Sequence, residues 1–199
     1  MITGVILAGG QNRRMGGYPK ALLSFQGELL IQRQMREMQK GCRELLLVTN
    51  QPTLYKKIVQ PKVHIIQDEV PFQGPLGGMR VALSKASYDH VWIVACDMPY
   101  LSSHIAHWMV KSQKEMDYDA VVPVIRGKIH PLYGIYHRRC KKIVQDLLQE
   151  SSRRVIGLLD RIDWLALDEA FFQHKGFDLR FVTNVNTPED YQQEISKQD

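Results

Sequence analysis

Short apolar runs alternate with amphipathic segments through the first half of the chain. Apolar runs of four to eight residues rich in β-branched side chains are typical of buried strands. They occur at Ile2–Leu7, Glu44–Thr49, Val63–Gln67 and Val91–Ala95. Helices are predicted between them, at Leu30–Met38, Leu54–Val59 and Met79–Lys85. This alternation predicts a parallel sheet with helices on both faces, in which ligands bind beyond the carboxyl ends of the strands.

The second half of the chain continues this alternation of strands and helices, except at one pair of strands with no helix between them. Ser102 is the predicted N-cap of a helix that runs to Glu115, and Thr187 with Pro188 is predicted to start the last helix. Further helices are predicted at residues 138–149 and 153–159, and extended segments at residues 120–124, 132–136, 164–167 and 179–182. No helix separates the first two extended segments, which predicts an antiparallel edge. Residues 71–78 are interpreted as a second glycine loop.

Composition limits the classes of protein that the chain can represent. The 199 residues are 44% hydrophobic and 24% charged, which is typical of a globular protein, and we expect one domain, 1–199. The formal net charge of +5 favours an anionic partner. No long basic run or interleaved aromatic pattern supports nucleic acid, so a small phosphate compound is the simpler expectation.

Targeting and redox signals are weak. The three cysteines form no CxxC pair, which favours a reducing compartment. The sequence contains no signal-peptide core and no apolar run long enough to span a bilayer. A cytoplasmic location without membrane contact is therefore the expectation.

The segment from Leu7 to Lys20 follows the first strand and is rich in glycine and cations. Ala8, Gly9 and Gly10 offer backbone amides to a ligand, and Arg13, Arg14 and Lys20 follow within the same loop. Bare amides and cations together suit phosphates. The spacing matches neither a P-loop nor a GxGxxG fingerprint, and a glycine turn with solvated basic residues is the alternative.

Polar residues follow the other predicted strands. Asp97 comes directly after the most apolar run, opposite the glycine loop, where a carboxylate would hold Mg²⁺. A helix cap or a salt bridge is the alternative for a single aspartate. Asn50 and Asp68 end two further strands and could contact ribose or a base edge, although both residue types also occur in ordinary turns.

A second set of residues suggests a second anion. Pro131 forces His130 into an extended conformation, which can point the imidazole into the crevice. Arg153 and Arg154 lie near a predicted helix start and could hold a phosphate, or form a solvated helix end. The histidines lack metal-ligand spacing, and no serine or cysteine has the setting of a nucleophile.

Several motifs together resemble one known family. LAGGQNRRMGGYPK at Leu7–Lys20 resembles the signature loop of nucleotidyltransferases with a Rossmann-like fold, and the details are similar to the molybdenum cofactor guanylyltransferases. The other matching motifs, in family order along nearly the whole chain, are QGPLGGM (73–79), CDMP (96–99), HPLYGIY (130–136), RRV (153–155) and NVNTPEDY (184–191). The resemblance implies a three-layer αβα nucleotidyltransferase fold with a mostly parallel central sheet and an antiparallel edge.

The resemblance also implies site roles and substrates. It places GTP against Leu7, Ala8, Gly9, Gly10, Lys20, Asn50, Asp68 and Asp97, and Mg²⁺ on Asp97. It assigns the binding of molybdopterin to His130, Arg154, Asn184 and Asn186. Lys20, Asp97 and Arg14 are the expected catalytic residues. The implied reaction joins GMP to the terminal phosphate of molybdopterin, with possible transient contacts to other molybdenum cofactor proteins.

Two other functions fit the same residues. A sister enzyme could use CTP or a sugar phosphate, because guanine can be recognised by backbone groups that leave no trace in the sequence. A binding or carrier protein could hold the nucleotide or the cofactor without turnover. The presence of both Lys20 and Asp97 favours an enzyme over a carrier.

Overall fold

The structure is a computed structural model that describes residues 1–10, 15–68 and 74–196. In this part of the chain a central sheet has the strand order β10-β7-β9-β6-β1-β4-β5, with β8 paired to β7. The strands are β1 (Ile2–Leu7), β2 (Ser24–Phe25), β3 (Glu28–Leu29), β4 (Glu44–Thr49), β5 (Val63–Gln67), β6 (His90–Ala95), β7 (Ala120–Ile125), β8 (Lys128–Ile129), β9 (Tyr133–His137) and β10 (Trp164–Asp168). Strands β2 and β3 form a separate antiparallel hairpin.

Helices cover both faces of the sheet, as the alternating sequence pattern predicts. They are α1 (Leu30–Met38), α2 (Gly74–Lys85), α3 (Ser103–Met116), α4 (Lys141–Gln149), α5 (Ile156–Leu159), α6 (Glu169–His174) and α7 (Pro188–Ser196). Trp92 and Val94 of β6 face a core formed with α1, α3 and α6. Val91 and Ile93 face the opposite core, formed with α2, α4 and α5. The three-layer αβα architecture is therefore confirmed.

Parallel pairing places several strand ends on one side of the sheet. Strand β1 is parallel to β4 and β6, β4 is parallel to β5, and β7 is parallel to β10. Strand β9 is antiparallel to both β6 and β7, so β7 runs in the same direction as β6. We call the side at which β1, β4, β5, β6, β7 and β10 end the carboxyl edge.

The predicted antiparallel pairing is present, but its position differs from the prediction. Strand β9 lies between β6 and β7 instead of at the edge of the sheet, where β10 is found. Residues 133–136 are buried on both faces, and Ile135 and Tyr136 are fully inaccessible. A strand that buries both faces gains more inside the sheet than at its margin.

The predicted glycine loop at residues 71–78 is partly wrong, because Gly74–Gly78 form the first turns of α2. Glycine is needed here for close packing. A Cβ on Gly78 would lie 3.2 Å from Leu7 Cδ2, and one on Gly74 would lie 3.1 Å from the carbonyl oxygen of Arg153. The small residues allow α2 to approach β1 closely. Residues 71–73 lie outside the described part of the chain.

Two smaller predictions were wrong, and one helix was missed. A helix was predicted at residues 54–59, but the chain there forms a 3-10 turn at Pro52–Leu54 followed by further turns. Leu179–Val182 is a 3-10 helix instead of a strand. The Asp178 carboxylate caps the latter by accepting a hydrogen bond from the Arg180 backbone amide at 2.9 Å. Helix α6 was not predicted, since six residues are too few for a clear apolar period. In the described part of the chain no helix is long and apolar enough to cross a membrane.

Candidate active site

The carboxyl edge is held together by hydrogen bonds between neighbouring strand ends. The Ala8 amide donates to the Val48 carbonyl at 2.8 Å, and the Thr49 hydroxyl donates to the Ala8 carbonyl at 3.1 Å. The Asp68 amide donates to the Thr49 carbonyl at 2.9 Å. These bonds link β1, β4 and β5 where their chains leave the sheet. The predicted nucleotide residues on these strands therefore lie along one continuous edge.

Lys20 and Asp97 form an ion pair at this edge. Lys20 Nζ lies 3.1 Å from Asp97 Oδ2, and the two side chains are 14% and 12% exposed. Lys20 begins a 3-10 turn after the glycine loop, and Asp97 follows β6. The structure thus brings together two of the three residues that the sequence analysis expected to be catalytic.

Two asparagines from the C-terminal segment complete this group, and we call the four residues the Lys20 network. Asn186 Oδ1 accepts a hydrogen bond from Lys20 Nζ at 2.7 Å, and Asn184 Nδ2 donates to Asp97 Oδ1 at 2.8 Å. The sequence analysis assigned both asparagines to molybdopterin and had no means of detecting their contacts with Lys20 and Asp97. The same side chains therefore border both predicted substrate regions.

The backbone of the C-terminal segment is fixed on each side of Val185. The Val185 amide donates to the Asp97 carbonyl at 2.8 Å, and Val185 itself is fully buried. Asp190, in the first turn of α7, accepts hydrogen bonds from the Asn186 and Thr187 amides at 2.8 and 3.0 Å. In return the Asp190 amide donates to the Thr187 hydroxyl at 3.1 Å, which confirms Thr187 as the predicted cap.

Gln34 of α1 holds the segment that carries Asp97. Its Nε2 donates to the Ala95 and Met98 carbonyls at 2.8 and 2.9 Å, and the residue is only 1% exposed. These bonds fix the backbone on both sides of Asp97. Sequence reasoning interpreted this helix as core packing alone, and it missed Gln34 because its partners are distant backbone carbonyls.

The first residues of the glycine loop, Leu7 to Gly10, expose backbone more than side chains. The Leu7 side chain is 8% exposed and packs beneath α2, and the Leu7 carbonyl accepts a hydrogen bond from the Cys96 amide at 3.2 Å. Gly9 and Gly10 are exposed, and a Cβ on either would meet nothing within 4 Å. Asn50 is half-buried directly after β4. The predicted catalytic residue Arg14 and its neighbour Arg13 lie outside the described residues.

Asp68 has a partner that the sequence analysis missed. Arg80 Nη2, from α2, lies 4.0 Å from Asp68 Oδ1. Arg80 Nε is buried and has no hydrogen-bond partner among the described residues. The residue lies one position beyond the matched motif at residues 73–79, which is why motif comparison passed over it.

His130 lies between β8 and β9, near the carboxyl edge. Its amide donates to the Pro123 carbonyl at 2.9 Å, and its carbonyl accepts from the Tyr133 amide at 3.0 Å. Burial, with a smaller contribution from the charge on Lys128, lowers the pKa of His130 to about 4. A neutral imidazole can donate a hydrogen bond to a phosphate but cannot offset its charge.

Arg154 lies in the exposed connection between α4 and α5. The neighbouring Arg153 backbone packs against Gly74 at the start of α2, which places this connection on the α2 side of the sheet. In the described part of the chain, no hydrogen bond or ion pair joins Arg154 or His130 to the Lys20 network. The structure therefore places two of the four residues predicted for molybdopterin in contact with Lys20 and Asp97, and leaves the other two apart from them.

The chemistry of the edge suits a metal ion shared with substrate phosphates. The described residues include no group of three or more His, Cys, Asp or Glu side chains that could hold a metal. Mg²⁺ commonly takes one or two carboxylates and completes its coordination with phosphates and water. From the described residues each oxygen of Asp97 accepts one hydrogen bond, while a carboxylate has about four lone-pair positions, so capacity for a cation remains. Asp97 therefore fits the predicted metal ligand.

Covalent catalysis by the neighbouring thiol does not fit. Cys96 precedes Asp97, and burial raises the pKa of its thiol to about 12, with the Asp97 charge contributing in the same direction. The thiolate is the nucleophilic form of cysteine, and at neutral pH it is essentially absent here. The edge instead offers a lysine, a carboxylate and backbone amides, which bind and orient phosphates.

Comparison with known proteins agrees with the family resemblance found in the sequence motifs. A "Probable molybdenum cofactor guanylyltransferase" from Halalkalibacterium halodurans is 32% identical over 193 residues, covering 94% of both chains. One from Clostridium perfringens is 28% identical over 199 residues, covering 99% of this chain and 98% of the relative. The crystal structure of molybdopterin-guanine dinucleotide biosynthesis protein A from Archaeoglobus fulgidus superposes with a TM-score of 0.84 at 19% identity. It covers 98% of this chain and 97% of that chain.

A family model covers most of the chain. Residues 4–162 match the MobA-like NTP transferase domain, a span that includes the glycine loop, Lys20, Asp68 and Asp97. Asn184 and Asn186 lie beyond the matched span and reach the same site through their hydrogen bonds. The match, the relatives and the fold agree with the resemblance found in the sequence, and the chain belongs to the family of proteins with a MobA-like NTP transferase domain.

Proposed function

We propose that the chain transfers GMP from GTP to the terminal phosphate of molybdopterin, forming the guanine dinucleotide cofactor and releasing pyrophosphate. The observation that carries this proposal is the Lys20–Asp97 pair at the carboxyl edge, directly beyond the glycine loop. The names of the full-length relatives supply the substrates, since they describe molybdenum cofactor guanylyltransferases.

The reaction is an in-line displacement at the α-phosphorus of GTP. An oxygen of the acceptor phosphate forms the new bond to this phosphorus, and the bond to the pyrophosphate oxygen breaks. A phosphate monoester is already largely ionised near neutral pH, so the attack needs no general base. The absence of a nucleophile setting in the sequence is consistent with this mechanism.

The described residues would act mainly through positioning and charge. Lys20 and the amides of Gly9 and Gly10 would bind the phosphates of GTP and offset the charge that moves onto pyrophosphate. Asn186 would hold the ammonium of Lys20, and Asn184 would orient the Asp97 carboxylate. The half-buried setting of the pair strengthens these interactions relative to bulk water.

We propose Mg²⁺ as the metal, with Asp97 as its protein ligand. Bound to Asp97, Mg²⁺ would supply charge neutralisation and orientation to the transferring phosphate. Lys20 and Asn184 hydrogen-bond to the two oxygens of the Asp97 carboxylate and so orient it.

His130 and Arg154 would contact molybdopterin at the margin of the site. The neutral imidazole of His130 would donate a hydrogen bond, and the exposed Arg154 would supply positive charge. Because His130 and Arg154 lie apart from the Lys20 network, they would contact one end of an extended molybdopterin. The phosphate at its other end would lie nearer to Asn184 and Asn186.

The test is incubation of the purified protein with each of the four ribonucleoside triphosphates, Mg²⁺ and molybdenum-loaded molybdopterin. The expected result is pyrophosphate release and a guanine dinucleotide product with GTP, and little of either with the other triphosphates. Preference for CTP would show a cytidylyltransferase instead. Tight binding of GTP and molybdopterin without pyrophosphate release would show a carrier.

A further inference from the structure

Arg80 is a charged residue at the carboxyl edge for which the proposed mechanism has no role. It lies in α2 with its side chain 31% exposed, and its Nη2 is 4.0 Å from Asp68 Oδ1. Its Nε is buried without a partner among the described residues. A buried guanidinium N–H without an acceptor costs free energy. Hydrogen bonds to neighbouring residues therefore do not by themselves explain why an arginine occupies this position.

The position of Arg80 in the fold separates it from the phosphates. Lys20 and the glycine loop mark the phosphate region beyond β1 and β6. Asp68 follows β5, two strands away from β1 in the order β1-β4-β5. Adjacent strands are spaced about 4.8 Å apart, so the Asp68–Arg80 pair lies on the order of 10 Å along the edge from the phosphate region. That distance is comparable to the separation of a nucleotide's phosphates from its base.

The chemistry of the pair also argues against a phosphate ligand. Asp68 and Arg80 present an acceptor next to a donor, and the carboxylate would repel a polyanion. Such a pair suits a neutral ligand edge that itself carries donors next to an acceptor. Guanine presents N1–H and N2–H₂ donors beside the O6 acceptor. A guanidinium donating to O6 is also a common way for proteins to recognise guanine.

We propose that Arg80 is a specificity-determining residue that donates a hydrogen bond to O6 of the guanine base, while Asp68 accepts from N1–H and N2–H₂. This inference rests on the proposed use of GTP and adds the group that selects the base. Arg80 would move from its long contact with Asp68 onto the base edge. Its terminal nitrogens would then donate to the O6 oxygen of guanine, whereas its buried Nε has no acceptor among the described residues.

The test compares binding of GTP with binding of 6-thioguanosine triphosphate, in which sulfur, a weak hydrogen-bond acceptor, replaces O6 while N1–H and N2–H₂ are kept. Equilibrium dissociation constants are measured without Mg²⁺ and without acceptor, so that no turnover occurs. Wild-type protein should bind GTP roughly 10- to 100-fold more tightly, the range of one hydrogen bond to a charged group. Arg80→Met should bind both nucleotides within about threefold of each other. Arg80→Lys keeps the charge but loses the planar fork and should show an intermediate preference.

The matched control is Lys85→Met, which removes one exposed positive charge from the last turn of the same helix. It should keep the wild-type preference for GTP. If Arg80→Met weakened the binding of both nucleotides equally, Arg80 would contact a phosphate and the inference would be overturned. An unchanged preference for GTP in Arg80→Met would overturn it as well. Wild-type protein that binds neither nucleotide would overturn the proposed function together with the inference. Wild-type protein that binds GTP and the analogue without O6 equally tightly would overturn the inference alone.

Discussion

Lys20 Nζ and Asp97 Oδ2 lie 3.1 Å apart although 77 residues separate them in sequence. The lysine follows the glycine loop beyond β1 and the aspartate follows β6, so parallel pairing of β1 with β6 brings both segments to the same edge. A half-buried pair of opposite charges avoids the cost of desolvating either group alone. The pair therefore gives the clearest targets for mutation.

Asp97→Asn should abolish most turnover while leaving the fold intact. The amide keeps the size of the side chain but loses the charge that would hold Mg²⁺ and balance Lys20. We expect kcat/KM for pyrophosphate release to fall by at least about 100-fold. Circular dichroism should match the wild-type spectrum. The control is Asp160→Asn at an exposed position after α5, and near-normal turnover of Asp97→Asn would contradict the metal assignment.

Lys20→Met should weaken GTP binding and slow turnover together. The change removes the cation that would contact the triphosphate and leaves Asp97 without its ionic partner. Lys20→Arg keeps the charge, but its larger planar head cannot occupy the position 2.7 Å from Asn186 Oδ1, so only part of the activity should return. Calorimetric titration with GTP and an assay of pyrophosphate release measure the two effects separately. Wild-type GTP affinity in Lys20→Met would exclude a role for Lys20 in nucleotide binding.

Asn186→Ala distinguishes two roles for the C-terminal segment. If Asn186 positions Lys20, as their 2.7 Å contact indicates, GTP binding should weaken roughly 10-fold even without molybdopterin. If Asn186 contacts only molybdopterin, the dissociation constant for GTP should not change. Titration with GTP alone separates the two. Thr183→Ala, in the same segment, is the control for shortening a side chain there.

The sequence predicted the strands, and the position of Asp97 at a strand end, for a clear physical reason. A buried strand needs a continuous apolar run, and the residue after such a run must lie at an end of the sheet. Ile2–Leu7 and Glu44–Thr49 were therefore predicted with their observed bounds, and Asp97 was correctly located at a strand end. Local pattern and chain direction are sufficient for predictions of this kind.

The missed features depend on contacts between distant segments. Asn184 and Asp97 are 87 residues apart, and no local pattern shows that one side chain donates to the other. Gly78 was taken as part of a loop because glycine usually marks a turn, whereas here it admits the Leu7 side chain against α2. Arg80 could have been considered only with knowledge that α2 begins at Gly74 and places it beside Asp68.

Gly134→Ala should destabilise the fold although Gly134 lies within a motif shared with the enzyme family. A Cβ at this position would lie 2.6 Å from Cε2 of Tyr136, which is fully buried and donates a hydrogen bond to the Pro131 carbonyl at 2.7 Å. Overpacking of this kind costs about 1–3 kcal/mol. Urea unfolding should show the loss. Gly41→Ala is the control, because its nearest contact would be an ordinary 3.4 Å, and equal stability of the two variants would contradict the packing role.

His130→Asn should reduce the acid sensitivity of the protein. Unfolded chains bind a proton on histidine near pH 6.5, whereas burial and Lys128 lower the pKa of His130 to about 4 in the folded state. Between these pH values the unfolded state binds more protons, so the free energy of unfolding falls as the pH decreases from about 6.5 to 4. Above pH 6.5 the contribution of His130 is constant.

Urea unfolding of His130→Asn and wild-type protein at several pH values between 7 and 5 measures this effect. The variant should lose less stability than the wild type over that range, because asparagine binds no proton in either state. His174→Asn removes an exposed histidine and serves as the control for a change in histidine number. Parallel stability curves for His130→Asn and the wild type would show that the His130 imidazole becomes protonated in the folded protein. It would then meet a molybdopterin phosphate as a cation instead of as a neutral donor.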